Sequence, residues 1–592
     1  RGSAASQVAF YLDGVPLNQA QYGVVNAADL PIEALGRIEV FRGAAPLSFD
    51  APGGGVVHLR SREDGRTWAR ASLGAGSFDT RKSDAAFGLT RGRTSALVVA
   101  QYLEGAGDFT YRDDNGTDAE SADDTDARRA NNAFVARSWT TRLATVAGPV
   151  ALSLVHDRLK KAQGTPGTGA NTALAAGLRS DRSLTGLLVR PGRLPGAAPR
   201  MFEPVLLVFA VRQRDRFVDP ERELTGSRID SDDRTTRDGA RLVLSAGPLP
   251  DDHALEMVAE TRRERFTPRS NVPAPSAGPT RTRTFVALGA EDRWSPWNGR
   301  LGLTGQLRRE ATFDAFPAGP AYPGALPTPA SARTTRLTRG TLGARCDVLR
   351  GVGRNVSLRG SASWLGRTPT LEEMFGHRGG VHGNPQARPE RLSTHDGGIV
   401  ANLEFAARGA APRWLEAQVA AYRTDATDLL VYLQNSAQTS VAQNVAAARL
   451  EGLEVAARAG WDFGLSADVS WTRQWTRDEG EVAYWRGRVL PGRPGHEASL
   501  RLAWARAAWR PFAEGHVVGA HFLDRANLQP QPERVLLDLG VAVAPRAGAL
   551  EATLECRNLT DRRVFDFGGY PLPGRSFFAG LRVRFDGKDG RP

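Results

Sequence analysis

The feature that most constrains this chain is a two-residue periodicity sustained from Arg66 to Phe585. Segments of about ten residues alternate apolar with polar positions, and connections of two classes, short and long, separate them. In Leu550–Asn558, Leu550, Ala552, Leu554 and Cys556 share one parity, while Glu551, Thr553, Glu555 and Arg557 share the other. In Phe577–Phe585 the apolar set is Phe577, Ala579, Leu581, Val583 and Phe585. Successive strand side chains leave opposite faces of a sheet, so each segment has one face for an apolar medium and one for water. A soluble sandwich also alternates, but fills its apolar side with larger residues. Here that side is often small, as at Ala417, Val419 and Ala421, and the opposite parity is polar or charged. A wide barrel with lipid outside and a wet, charged lumen inside accounts for both faces.

Composition narrows the alternatives. At 592 residues the chain exceeds one ordinary domain, yet no linker divides it. Its Gly 64 and Pro 36 suit a turn-rich β protein. Charged residues at 24% and a mean hydropathy of −0.35 exclude a helical membrane bundle, and no run of about eighteen apolar residues offers a transmembrane helix. Net charge is +12, carried nearly all by arginine. The arginines are dispersed through alternating positions, which makes nucleic acid the weakest of the anionic partners that charge permits, behind anionic lipid and anionic ligand. Cys346 and Cys556 have no His or Cys neighbour at metal-ligand spacing. Arg1-Gly2-Ser3 runs straight into a strand-like segment, which reads as a beginning inside a domain, with any targeting segment outside this chain.

The alternating segments number about twenty-two, an even count. Long connections near Asp113–Asp126, Gly164–Gly177, Arg214–Arg237, Pro268–Thr280 and Phe316–Ala332 alternate with short ones at Arg91-Gly92-Arg93, Gly148-Pro149, Pro191–Pro199, Gly247–Asp252 and Ser295–Gly299. Outer-membrane barrels have short periplasmic turns and long external loops, and a bore of this size is too wide for side chains to fill. The stretch Val8–Ser61 is then the candidate plug. It packs strands near Gln7–Leu12, Arg37–Phe41 and Val56–Arg60, an Asp13-Gly14 turn, a helical turn at Ile32–Leu35 and the run Gly53–Gly55. That run is not a phosphate cradle, because no Lys-Ser/Thr and no helix follows it. The expected fold is an all-β membrane protein: an antiparallel transmembrane β-barrel of about 22 strands over 66–585, part of a small α+β plug, its C-terminal half, over 1–65 and a tail over 586–592.

At this point the motifs resemble those of TonB-dependent outer-membrane transporters, of the siderophore or cobalamin type. The plug carries Leu12-Asp13-Gly14-Val15-Pro16-Leu17-Asn18, Asp29-Leu30-Pro31, Arg37-Ile38-Glu39-Val40-Phe41-Arg42-Gly43 and Gly53-Gly54-Gly55-Val56-Val57 in that order. The barrel adds Arg367-Thr368-Pro369-Thr370-Leu371-Glu372-Glu373-Met374-Phe375-Gly376, then Gly383-Asn384-Pro385, Arg388-Pro389-Glu390, Glu451-Gly452-Leu453-Glu454, Asn558-Leu559-Thr560-Asp561 and Gly569-Tyr570-Pro571-Leu572-Pro573-Gly574-Arg575. The resemblance implies a monomer in the bacterial outer membrane, in contact with lipid and lipopolysaccharide. It would bind a scarce metal chelate or cobalamin outside and release it when the TonB complex pulls on the plug, without a required cofactor. Three departures stand out. The signal peptide, TonB box and first half of the plug are expected ahead of Arg1; Gly36 stands where the family often has Glu; and Asp586–Pro592 extends beyond the terminal aromatic Phe585.

The resemblance also places candidate residues. Arg37, Glu39 and Arg42 would latch the plug to the barrel, with plain surface charge as the alternative. The loop with Asp113, Asp114, Asn115, Asp118, Glu120, Asp123, Asp124 and Asp126 offers enough oxygens for calcium, which some cobalamin transporters of the family order in such loops. It lacks EF-hand spacing, so a solvated charge run is the competing reading. His377, Arg378, His382 and Arg388 would suit an anionic ferric chelate, against an ordinary polar loop. Tyr484 and Trp485, beside Arg486 and Arg488, could stack on a flat ligand or sit in an interfacial aromatic belt. No strained Gly-x-Ser-x-Gly turn and no Cys/His nucleophile pair occurs, so the sequence does not read as an enzyme.

Overall fold

The structure, a computed structural model, describes residues 3–63, 65–117, 122–192, 201–320, 327–377, 381–405, 411–436, 439–545, 549–566 and 568–587. Near the N-terminus, β1 (Val8–Leu12), β2 (Val15–Pro16), β3 (Leu35–Phe41) and β4 (Gly55–Ser61) form one sheet in the order β2-β1-β4-β3. β1 and β4 run parallel; the other two pairings are antiparallel. Asp13 and Gly14 turn between β1 and β2 with φ of 47° and 85°. The Asp13 carboxylate accepts from the Ser61 backbone N–H at 2.9 Å and hydroxyl at 2.6 Å, tying this turn to the end of β4. The expected helical turn is a 3₁₀ turn, Ile32–Ala34.

A closed, antiparallel barrel of 22 strands surrounds that sheet. Its last strand, Ser576–Asp586, pairs with its first, Trp68–Gly76, from Phe578↔Gly76 to Asp586↔Trp68, so the sheet has no open edge. The alternation is realised as two faces. Leu73, Leu554, Phe577, Leu581 and Phe585 are exposed on the outside, while Arg237 and Arg241 point inward and bond the plug.

The main core lies between plug and wall. Leu12, Val15, Leu17, Leu35 and Leu59 of the plug pack on Val155, Leu184, Leu207, Phe209 and Val211 of three adjacent strands. Leu12, Val15 and Leu184 have no exposed surface, and burying each stabilises by about 1.5–3 kcal/mol. Gly186 permits the approach, because a Cβ there would lie 2.5 Å from the Val15 side chain.

Several connections expected to be irregular are ordered. The polar stretch 214–237 is mostly strand: Phe202–Asp219 and Ile229–Leu249 stay paired through Asp219↔Ile229, leaving a connection of 220–228. Cross-strand ion pairs, Arg214 with Asp232 and Arg216 with Asp230, satisfy charges that read as loop-forming in isolation. The acidic connection likewise contains the short pair Thr110–Asp113 and Thr125–Arg128.

Candidate functional site: the plug against the barrel wall

The expected latch residues divide. Arg37 and Glu39 pair with each other on the plug at 3.1 Å, and Glu39 also takes His58 Nδ1 at 3.0 Å and Arg60 at 3.6 Å. Only Arg42 of the three reaches the wall in a described ion pair, approaching Glu454 at 3.8 Å with its side chain 44% exposed. Glu454 belongs to the Glu451-Gly452-Leu453-Glu454 motif noted in the sequence.

A denser ionic joint centres on Asp50, just before Ala51-Pro52-Gly53. Its carboxylate accepts from Arg262 at 2.9 Å and Arg339 at 2.5 Å. Behind them, Arg308 bridges Glu260 at 2.9 Å and Glu310 at 2.8 Å, Glu310 meets Arg339 at 2.9 Å, and Glu260 meets Arg241 at 3.1 Å. These side chains come from neighbouring strands whose inward parity carries them to one level. Burial alone would raise the Asp50 carboxyl, but the Arg339, Arg262 and Arg308 guanidiniums prevail and hold it well below the usual carboxylate range. Tyr11, stacked in the plug against Phe49 at 4.7 Å between centroids, is pushed up to about 12, chiefly by burial and then by Asp50.

The same arginines grip the plug backbone. Arg241 donates to Gly14 O at 3.0 Å, Arg237 to Asn18 O at 2.8 Å, Arg308 to Leu47 O at 2.9 Å and Arg339 to Ala51 O at 3.1 Å. Each carbonyl belongs to a plug loop and has no ladder partner there. On the far side of the plug, Glu33 binds Arg70 at 2.6 Å and Lys82 at 3.2 Å, and Asp29 binds Lys161 at 3.0 Å. Burial works against ionisation of Glu33, yet Lys82 and Arg70 together keep its carboxyl below the ordinary value.

A third joint is built by the segment starting at Arg367. Thr370 caps the short helix α1 (Leu371–Phe375): its hydroxyl accepts from Glu373 N at 3.2 Å, and Glu373 accepts from Thr370 N at 2.7 Å. Arg367 clamps Glu373 and Glu390, each at 2.8 Å. Glu390 then accepts from plug Gln7 at 2.9 Å, and the Glu372 N–H donates to plug Gln21 O at 3.0 Å.

The expected ligand residues lie apart from these joints. Arg388 is paired with Asp428 at 2.6 Å, and exposed His382 lies in a short strand alongside Thr439–Gly460. Arg378 and the His377 side chain lie outside the described residues. Trp485 is covered by the Arg525 guanidinium at 4.1 Å and joins two loops, while Tyr484 is exposed. In the acidic loop, Asp123 accepts from Thr117 and Asn115, Asp124 pairs with Arg112, and Asp126 with Arg563. Asp113 and Asp114 accept from nearby backbone N–H groups within their own turn, and Asp118 and Glu120 lie outside the described residues. Among the described residues, Glu514, His516 and Asp538 are one group with ligand atoms within 4.8 Å of one another. Glu514 is already paired with Arg501, and Asp538 accepts from Asn558 N at 2.7 Å.

Sequence reasoning missed Asp50, Glu33 and their wall partners. A signal was present: Asp50 is a lone carboxylate in a Gly/Pro/Ala stretch, and Arg262, Arg308 and Arg339 each fall in a segment that reads as strand.

A plug sheet inside a closed 22-stranded barrel, held by arginine-rich joints, defines the class. The sequence matches the family described as TonB dependent receptor-like, beta-barrel, over residues 60–559, and the TonB-dependent Receptor Plug Domain over 1–57. The chain belongs to the TonB-dependent receptor family. A stretch of 117 residues is 30% identical to the vitamin B12 transporter BtuB of Vibrio cholerae; it spans 19% of this chain and 19% of that transporter. The copper transporter OprC shares the fold with a TM-score of 0.81 at 14% identity, covering 99% of this chain and 92% of that one. The FrpB iron transporter of Neisseria meningitidis gives 0.75 at 13%, covering 99% and 92%. The ferric yersiniabactin uptake receptor FyuA of Yersinia pestis gives 0.72 at 16%, covering 99% and 90%.

Proposed function

We propose that this protein is an outer-membrane receptor that takes up a scarce nutrient, a ferric siderophore, using energy delivered by the TonB complex. The observation that carries the reading is the way the plug is held. Barrel guanidiniums grip plug carbonyls and Asp50 across the lumen. Such contacts block the bore at rest and can break and re-form without covalent change. The arginine-rich lumen favours an anionic chelate, and the solved structures of the same fold include an iron transporter and a ferric yersiniabactin uptake receptor. Cobalamin is the second reading, favoured by the local identity to BtuB. No cofactor is required, and the protein works as a monomer in lipid.

Deleting the gene in its host separates the readings. A growth deficit under iron limitation, relieved by ferric siderophore, supports the first; a deficit only when cobalamin is limiting supports the second. If neither deficit appears but the purified chain still binds a chelate, the barrel serves as a non-transporting surface receptor. Accumulation that persists without TonB overturns the energised mechanism.

A further inference from the structure

On the lumen face of the wall, six neighbouring strands carry one charged row. Its members are Glu416, Arg458, Asp468, Arg501, Glu514 and Asp538, each the register partner of the next. They share the inward parity of Glu454, which meets plug Arg42 from the same strand as Arg458. The sign of the charge alternates at every step but the last. Arg458 sits between Glu416 at 3.8 Å and Asp468 at 2.6 Å, and Arg501 pairs with Glu514. Glu514 and Asp538 then stand directly opposite each other on Trp509–Val518 and Arg534–Val543, two carboxylates where the alternation calls for a cation. Like charges directly opposite destabilise a strand pair, so this step is short of one positive charge.

A third donor lies beside that step. His516, two residues from Glu514 and on the same face, brings Nε2 to 3.8 Å from Glu514 Oε2. One ligand atom from each of Glu514, His516 and Asp538 lies within 4.8 Å of the others. The partners already described orient the two carboxylates without filling them. Arg501 takes Glu514 Oε1, and Asn558 N takes Asp538 Oδ1 at 2.7 Å. Glu514 Oε2 is thereby left turned to the imidazole, and Asp538 Oδ2 has no hydrogen bond among the described residues. Arg501 is itself held over the Phe512 ring at 4.4 Å. Ligating carboxylates are commonly fixed in this way, by hydrogen bonds from an outer shell. Both carboxylates line a lumen cavity of about 1020 Å³, which gives an ion a way in.

We propose that Glu514, His516 and Asp538 bind a divalent first-row transition-metal ion, with the remaining coordination position open to the cavity. One imidazole nitrogen and two carboxylate oxygens suit zinc and its neighbours in the row, whereas magnesium and calcium take oxygen ligands. The ion supplies the positive charge that the row lacks and joins the two strands through one centre. The inference goes beyond the uptake reading and does not depend on which nutrient is carried.

The test uses the full chain in detergent, without an affinity tag and stripped with a chelator, and Zn²⁺ alone as the probe in titration calorimetry. His516→Asn and Asp538→Asn are each expected to weaken binding at least about tenfold. His496→Asn, which removes another histidine paired with a carboxylate on the same wall, should bind as the parent does. On the unmodified chain, Zn²⁺ should slow diethylpyrocarbonate modification of His516 several-fold, read by peptide mass spectrometry, and the same concentration of Mg²⁺ should not; this arm holds even if a variant does not fold. A folded His516→Asn or Asp538→Asn variant that binds Zn²⁺ like the parent overturns the proposal. So does a His516 modification rate that Zn²⁺ leaves unchanged, or that Mg²⁺ lowers equally.

Discussion

At the scale of single residues, Asp50 carries the most consequence. Two guanidiniums from different strands converge on it, and Asp50→Asn leaves both short of a counter-charge. Removing one partner of a buried pair costs about 3–5 kcal/mol, so we expect the plug of Asp50→Asn to unfold at lower urea while the barrel keeps its β signal by circular dichroism. The pH behaviour of this joint follows from the sign of its shift. A depressed carboxyl contributes stability that is fully present above the unfolded value near ~4 and is lost only as pH falls towards the lower folded value. Plug retention should therefore not change between pH 7 and pH ~4 on account of Asp50. Glu372 behaves oppositely. Burial pushes its carboxyl up to about 7, with Glu373 adding to the rise and the Tyr432 hydroxyl at 3.2 Å opposing it. The folded state then binds a proton more tightly than the unfolded chain, so its contribution grows as pH falls from above 7 towards ~4. Thermal unfolding from pH 8 to pH 5 should show that rise, and Glu372→Gln should abolish it and be the more stable protein at pH 8. A flat profile in the parent would contradict the assignment.

At the scale of elements, β3 and β4 close the plug sheet through a glycine. Gly55 has φ of +116°, and a Cβ there would lie 2.6 Å from Phe41 O, a backbone atom with little room to retreat. Gly55→Ala should destabilise the plug by more than about 1 kcal/mol, read as a lower midpoint of plug unfolding. Gly515, on a barrel strand with open space around its α-carbon, makes the matched control. Strand length was the least legible element property. The 214–237 stretch is polar and charged, which in isolation favours a loop. Its two halves become strand because Arg214 and Arg216 meet Asp232 and Asp230 on the neighbour, pairings no single segment contains.

At the scale of the whole molecule, the two-face reading has a direct chemical test. Cys346 shares the outward parity of exposed Leu342, and its register neighbours across the two flanking strands are Leu301 and Leu358. In lipid nanodiscs an apolar maleimide should label Cys346 far faster than a charged one. In a mild detergent the charged reagent should gain access. Equal labelling by both reagents in lipid would place that face in water and contradict the barrel's orientation.

Much of this architecture was written locally. Alternation, turn chemistry and the rhythm of short and long connections specify strand number, face and the presence of a plug, because a period of two and a tight turn are properties of neighbouring residues. The joints between plug and wall were not legible in that way. Asp50 meets Arg262 and Arg339, more than two hundred residues later, only because closure and shear bring three distant segments to one level of the lumen. The motif arginine Arg37 and glutamate Glu39, whose charges suggested a latch, are spent on each other by the register of β3. Sequence thus determined which faces are charged; the tertiary structure decided which charges meet, since ion pairing depends on distances of a few ångströms that chain order does not encode.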